Sequence, residues 1–154
     1  MTNLARGTEK VKGLTNSRPL GDVMREAHRT LVAHLERALR EAGYDDVGAA
    51  HASVLATVDA AGSRLVTLVE RGGRTKQATA ELAGHLTARG YLKLRPDPTD
   101  GRAKLYVPTA SGRRLLAACE VVVVAYEKWL NDVLGEGGVA QLRHSLTAIV
   151  DHGV

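Results

Sequence analysis

The sequence of 154 residues is poor in the features that mark several classes of protein. Its one cysteine, Cys119, excludes an intramolecular disulfide and a cysteine-based zinc cluster, so the chain suits a reducing cytoplasm. Four prolines are too few for a linker-rich protein. The longest obvious apolar run, residues 121–126, is too short to span a membrane, and the N-terminus lacks the apolar segment of a signal peptide. We therefore expect a cytoplasmic protein with no membrane partner.

The common signatures of catalysis are also missing from the sequence. There is no evident pair of carboxylates, no nucleophile elbow, no glycine-rich phosphate loop and no His-Glu-x-x-His. The six histidines are spread over several predicted helices, without a metal-binding spacing. Cys119 has no adjacent basic residue, so a buried, inert thiol is expected. The sequence predicts a protein that is not an enzyme and has neither a metal site nor a cofactor.

The most informative stretch runs from Gly72 to Thr109 and begins with a predicted helix. Thr75 is a suitable N-cap and Gly90 suits the left-handed residue beyond the last turn, which leaves about four helical turns between them. The predicted buried stripe has i, i+4, i+8 spacing: Ala78, Leu82 and Leu86. Short or basic residues near the N-terminus are predicted to point elsewhere: Lys76, Gln77, Thr79 and Ala80. That combination suits a helix entering a DNA major groove, although an ordinary amphipathic helix shares the pattern.

A charged β-hairpin is predicted directly after this helix. Residues 91–95 alternate bulky or apolar residues with basic ones, and residues 104–107 form a second β-prone run. The segment from Pro96 to Gly101 is a turn by composition. A hairpin in this place is typical of the wing of a DNA-binding domain. Since Pro108 cannot donate to a strand ladder, the second strand is predicted to end by Val107.

Positive charge is concentrated in the same part of the chain. Residues 64–104 contain nine Lys or Arg and four Asp or Glu, a net charge of +5. The remaining residues contain 12 basic and 13 acidic side chains, a net charge of −1. This distribution is typical of a protein that binds phosphates through one face.

The motifs of this stretch resemble the winged helix-turn-helix of the MarR family of transcriptional regulators. They are Thr75-Lys76-Gln77, Leu82, Leu86, residues 89–92, residues 95–104, Thr109 and Gly112. The Asp-x-Arg of Asp100 and Arg102 is the most specific of them. The resemblance implies that residues 75–88 read a major groove, that Arg102 reaches into a minor groove, and that Asp100 helps to fix the wing. One departure is Pro108-Thr109, where the family usually has Leu-Thr.

Helices are predicted on both sides of the wing domain. Apolar residues at three- and four-residue spacing predict helices over residues 19–42, 48–60, 65–71, 110–134 and 139–150. The helix over residues 65–71 would support the recognition helix, with Gly72-Gly73 as the turn. The centre of the helix over residues 110–134 is apolar nearly all round and is expected to be buried on more than one side. The first helix and the last two carry more apolar surface than one small core needs, so a two-fold homodimer is inferred.

The predicted fold class is mainly α with a small β-wing, a winged helix-turn-helix flanked by N- and C-terminal dimerisation helices. The expected parts are a mobile basic arm (residues 1–18), a first dimerisation helix with its loop (19–47), a DNA-binding domain (48–109) and C-terminal dimerisation helices (110–154). The predicted DNA-binding residues are Arg64, Arg71, Arg74, Thr75, Lys76, Gln77, Thr79, Arg95, Asp100, Arg102 and Lys104.

The predicted partners are double-stranded DNA, a second copy of the chain and a small aromatic or phenolic effector. The resemblance implies an effector pocket between the first two helices and the DNA-binding domain, which makes Tyr44, His51 and His28 candidates for ligand binding. The expected function is a homodimeric repressor that a small organic ligand releases from a pseudo-palindromic operator. Two alternatives remain at this point: a non-specific architectural DNA-binding protein and a helical protein-interaction module.

Overall fold

The computed structural model describes residues 18–153, which divide into two compact units, residues 18–34 and 35–153. The described part of the first unit is the beginning of helix α1 (Leu20–Glu41), whose residues 20–30 are all exposed. The predicted basic arm, apart from Arg18, lies outside the described residues. Gly43 has a φ of +86°, a left-handed conformation that stops α1 close to the predicted end.

The second unit contains a winged helix followed by two further helices. After the end of α1 it has three helices, a hairpin and two more helices: α2 (Ala49–Ala56), α3 (Leu65–Gly72), α4 (Lys76–Ala88), β1 (Leu92–Asp97), β2 (Asp100–Pro108), α5 (Ala110–Leu134) and α6 (Gly138–His152). This confirms the predicted fold class of helices with a small β-wing. In the described part of the chain, no helix is long and apolar enough to cross a membrane.

Helix α2 ends at Ala56 and not at Ala60 as predicted. The Thr57 hydroxyl donates to the Val54 carbonyl, and the Ser63 hydroxyl donates to the Asp59 carboxylate at 2.9 Å. Ser63 also exchanges backbone hydrogen bonds with Tyr106 of β2, at 3.0 and 2.9 Å. The chain leaves the helix early because residue 63 pairs with the edge of the hairpin, a long-range contact that the helical pattern does not contain.

The core of the second unit is built from one leucine of each surrounding element. The fully buried leucines are Leu39 of α1, Leu55 of α2, Leu68 of α3, Leu86 of α4, Leu92 of β1 and Leu115 of α5. Because these six elements each contribute a large apolar side chain, the end of α1, helices α2 to α5 and the base of the hairpin share a single core. Helix α5 buries only Gly112 and Leu115, and helix α6 buries no residue.

The two strands pair in antiparallel register from Leu92 opposite Pro108 to Asp97 opposite Asp100. The second strand therefore ends one residue later than predicted, at Pro108. The Thr109 amide donates to the Tyr91 carbonyl at 3.0 Å, just outside this pair. Leu92 and Pro108 thus occupy a position of the ladder at which neither residue has to donate, so the missing N–H of proline costs nothing there.

Gly112 lies where helix α5 meets the start of the wing, and its lack of a side chain is required. A Cβ at residue 112 would lie 2.1 Å from the Tyr91 carbonyl oxygen, whereas a Cβ at Gly84 on α4 would meet nothing within 4 Å. We expect Gly112→Ala to destabilise the protein by about 3 kcal/mol, because backbone must move. Gly84→Ala, the matched control, should stabilise it by about 1 kcal/mol through helix propensity. Urea unfolding of both variants measures the difference, and equal stabilities would contradict the close packing at Gly112.

Candidate nucleic-acid interface

The N-terminus of helix α4 presents polar side chains to solvent. Thr75 is the N-cap, and its hydroxyl accepts from the Ala78 amide at 3.2 Å, as predicted. Lys76 and Gln77 are exposed in the first turn. Their exposure leaves them available to a ligand of the size of DNA.

Thr79 does not belong to this exposed surface, contrary to the prediction. It is 1% exposed, and its hydroxyl donates to the Thr75 carbonyl at 3.0 Å. The buried residues of α4 are Thr79, Ala83 and Leu86. The helix is therefore rotated about its axis relative to the prediction, which buries Ala78, Leu82 and Leu86. The prediction was wrong because a threonine can pack in a core through its methyl group when its hydroxyl has a hydrogen-bond partner.

The wing carries two free basic side chains on its second strand. Arg102 and Lys104 are exposed, and within residues 18–153 neither side chain has an ion-pair or hydrogen-bond partner. The Arg102 amide donates to the Asp100 carboxylate at 3.1 Å, so Asp100 shapes the turn that presents Arg102. Arg95 of the first strand differs, because its guanidinium donates to the Ala61 carbonyl at 3.2 Å.

Three further arginines that were predicted to contact DNA have partners within the chain. Arg71 donates to the Thr57 carbonyl at 2.8 Å and to Asp59 at 2.9 Å. Arg74 donates to the Ser53 hydroxyl at 3.1 Å and to the Gly72 carbonyl at 3.4 Å. The third, Arg64, donates to the Asp97 carboxylate at 2.6 Å. These contacts hold the turns around α3 in place. Fewer basic side chains are therefore without a partner than the sequence suggests.

Asp97 anchors the wing, a role that the sequence reading missed. Its carboxylate accepts from Arg64 at 2.6 Å and from the amide and hydroxyl of Thr99 at 2.8 and 2.7 Å. Arg64 also lies 3.8 Å from the Asp100 carboxylate. The hydrogen bonds from Thr99, followed by the contact with Arg64, lower the pKa of Asp97 to about 2. The Asp-x-Thr spacing at a turn was the available signal, but its link to Arg64 spans 33 residues.

The anchor predicts a pH dependence of stability. Because the folded pKa of Asp97, about 2, is below its ordinary value of 3.8, the contribution is present above pH 4 and lost as the pH falls towards 2. Asp97→Asn should lower the unfolding temperature at pH 7 and flatten the decline between pH 4 and 2. Asp45→Asn, an exposed carboxylate without an ion pair among the described residues, is the control. Identical pH profiles for wild type and Asp97→Asn would contradict the anchor.

A polar cluster joins the C-terminal half of α4 to the loop before α2. The Tyr91 hydroxyl donates to the Asp46 carboxylate at 2.9 Å, and a His85 ring nitrogen lies 2.7 Å from the Asp46 carbonyl oxygen. The His51 ring is 4.4 Å from the His85 ring, between centroids, and its Nδ1 accepts from the Gly48 amide at 3.1 Å. Burial, followed by the proximity of His85, lowers the pKa of His51.

The three candidate ligand-binding residues are in different surroundings. His51 belongs to the cluster above, and Tyr44 packs on the core with its ring centroid 6.3 Å from that of Tyr91. His28 lies in the first unit and is exposed on α1. No group of three or more potential metal ligands occurs among residues 18–153.

An apolar groove lies between helices α2 and α5. It has a volume of about 370 Å³ and is lined in part by Ala52, Leu116, Cys119 and Val123. Burial raises the pKa of the Cys119 thiol. The thiol is therefore protonated at neutral pH and contributes to the groove as an apolar group.

The order of elements and the exposed basic residues define a winged helix-turn-helix, in which α3 and α4 form the helix-turn-helix and β1 and β2 form the wing. Residues 45–103 match the sequence model of the MarR family. The family match covers the helix-turn-helix and most of the wing, and the fold is that of MarR-family structures. This confirms the resemblance that the wing and helix motifs indicate. No curated protein sequence matches the chain.

Solved structures of MarR-family regulators share the fold. A mutant of MarR from E. coli complexed with operator DNA is 22% identical, with a TM-score of 0.75 and coverage of 88% of this chain and 96% of that one. CouR from Rhodococcus jostii, bound to p-coumaroyl-CoA, is 24% identical, with a TM-score of 0.71 and coverage of 85% and 91%. BpsR from Bordetella bronchiseptica, whose DNA binding is regulated by 6-hydroxynicotinic acid, is 22% identical, with a TM-score of 0.74 and coverage of 88% and 95%.

Proposed function

We propose that the chain is a homodimeric repressor that binds a pseudo-palindromic operator in the cytoplasm. In this proposal residues 48–109 form the DNA-binding domain, while residues 19–47 and 110–154 contain the dimerisation helices. The observation that carries it is the exposure of Lys76 and Gln77 at the start of α4 together with the free Arg102 of the wing. Such an arrangement suits insertion of α4 into a major groove and of the wing into the neighbouring minor groove.

The apolar surface of the last two helices supports a dimer. Val121, Val124 and Val133 of α5 are 70%, 68% and 59% exposed. Helix α6 exposes a stripe at helical spacing, formed by Leu142, Leu146, Ile149 and Val150. Many exposed large apolar side chains are unusual on a soluble monomer, and a second copy would cover them. A two-fold dimer would read half-sites about 10 base pairs apart, or a multiple of that spacing.

The proposed effector is a small aromatic compound that releases the protein from DNA. We propose that it binds in the apolar groove beside Cys119, which has a volume of about 370 Å³. Among the proteins with a similar fold, BpsR is regulated by 6-hydroxynicotinic acid and CouR binds p-coumaroyl-CoA. Tyr44, His51 and His28 do not line this groove and remain candidate ligand contacts on the strength of the family resemblance alone.

Selection of bound duplexes from a random pool with the purified protein tests the function. We expect enrichment of a two-fold symmetric motif. Equal recovery of random and palindromic duplexes would indicate an architectural DNA-binding protein, and no recovery of DNA would indicate a protein-interaction module. Either result would overturn the proposal. Addition of aromatic acids to the selected complex tests the effector, which should release the DNA.

Lys76 is proposed to contact a phosphate. Since each neutralised phosphate contributes about 0.9 to the slope of log K against log salt concentration, Lys76→Ala should reduce that slope by about one unit. The affinities for operator and random duplexes should fall by the same factor. Lys128→Ala, an exposed lysine of α5, is the control and should leave the slope unchanged. A change in base preference for Lys76→Ala would show that this residue reads a base and not a phosphate.

A further inference from the structure

The outward face of helix α4 carries few side chains. Thr79, Ala83 and Leu86 are buried, which turns Gln77, Glu81 and Gly84 to solvent at i, i+4, i+7 spacing. Gly84 has no side chain, and a Cβ there would meet nothing within 4 Å. A base edge could therefore approach this face closely, and the long side chains it would meet there are Gln77 and Glu81.

These two side chains are joined to each other. The Gln77 Nε2 donates to the Glu81 Oε1 at 3.1 Å. This hydrogen bond uses one of the two amide hydrogens of Gln77 and leaves the other hydrogen and the carbonyl oxygen free. A free donor beside a free acceptor is complementary to adenine, which presents the N7 acceptor and the N6 amino donor in the major groove.

Glu81 constrains the neighbouring base in another way. An ionised carboxylate only accepts hydrogen bonds, so it is repelled by phosphates and by the keto oxygens of guanine and thymine. The amino group of cytosine, at N4, is a major-groove donor that a carboxylate can accept from. An acidic side chain in the middle of a DNA-reading face is therefore unfavourable unless such an amino group lies opposite it.

We propose that the hydrogen-bonded pair of Gln77 and Glu81 determines base specificity, an inference that rests on the proposed function. Gln77 reads an adenine, and Glu81 accepts from the amino group of a nearby cytosine in the same half-site. The pair acts as a unit because Glu81 fixes the orientation of the Gln77 carboxamide. Lys76, adjacent in sequence but without a partner among the described residues, adds affinity without base preference.

Duplex selection with wild type and three variants tests this inference. Glu81→Gln keeps a hydrogen-bond acceptor for Gln77 but adds donors, so the cytosine preference at one position of each half-site should fall about tenfold or more as keto bases become acceptable. Gln77→Ala should lose the adenine preference by a similar factor. Lys76→Ala, the control, should select the wild-type motif with lower affinity. All three positions are exposed, and thermal unfolding checks that each variant is folded.

The outcomes separate the specificity of the pair from the proposed function. If wild type enriches no motif, the proposed function fails. If wild type enriches a symmetric motif that Gln77→Ala and Glu81→Gln leave unchanged, the specificity of the pair is overturned while the function stands. If a variant binds no duplex, wild type is titrated instead with operator duplexes that are substituted at each base of the half-site. Replacement of the adenine and replacement of the cytosine must then each lower the affinity by about tenfold or more.

Discussion

Arg102→Ala is expected to bind the selected operator about 10- to 100-fold more weakly than wild type, because the variant removes the charge that we propose the wing to present to a minor groove. The guanidinium is exposed and has no partner within residues 18–153, so its removal breaks no contact of the fold. The turn that presents it is held by the Arg102 amide and Asp100, which the substitution retains. Fluorescence anisotropy with a labelled duplex at several salt concentrations measures the loss.

Arg40→Ala provides the charge-matched control for this experiment. Arg40 is exposed in the last turn of α1 and is not among the proposed DNA-binding residues. The control should bind operator as wild type does, and both variants should keep the mass of a dimer in light scattering. An Arg102→Ala affinity equal to wild type at every salt concentration would show that the wing does not contact DNA.

Ile149→Glu is expected to convert the proposed dimer to monomers of 16.4 kDa. Ile149 is 55% exposed in the described chain and lies in the apolar stripe of α6. In a two-fold dimer the substitution places an unpaired carboxylate in the interface twice, and each buried, uncompensated charge costs about 3 kcal/mol or more. We therefore expect the dissociation constant of the dimer to rise by a factor of about 100 or more for each copy. Analytical ultracentrifugation over a range of concentrations measures this change.

His144→Glu controls for the added charge on the same helix. His144 is exposed and lies two residues from Leu146, so it points away from the stripe. This variant should remain dimeric and bind operator. The Ile149→Glu monomer should lose most of its affinity for the operator, because one subunit can bind only one of the two half-sites. A dimer that persists in Ile149→Glu would place the interface elsewhere.

Much of the fold follows from local signals in the sequence. The N-cap Thr75, the left-handed Gly90 and the stop at Gly43 have local physical causes, and the structure confirms each of them. Helix α5 has the predicted bounds, because Thr109 caps its start and Gly135 follows its end. The early end of α2 at Ala56 could not be predicted, since it depends on the bridge between Ser63 and the distant Tyr106.

The candidate interface was less predictable than the fold. Sequence gives the number of arginines but not their partners, and Arg64 and Arg71 pair with carboxylates that are 33 and 12 residues away. The direction of Thr79 depends on which side of α4 meets the core, and a four-turn helix with few large apolar residues leaves that rotation undetermined. The exposed centre of α5 differs from the expectation of burial on several sides. We attribute the difference to the proposed second copy.

The ion pair between Arg64 and Asp97 has a consequence for the DNA that the protein can accept. Arg64 is the N-cap residue of α3, and Asp97 ends β1, so the pair ties the hairpin directly to the helix-turn-helix. This pair restrains the distance between α4 and the wing. One base pair inserted between the proposed contacts of α4 and of the wing should therefore weaken binding, whereas the tolerated distance between half-sites depends only on how the proposed subunits associate.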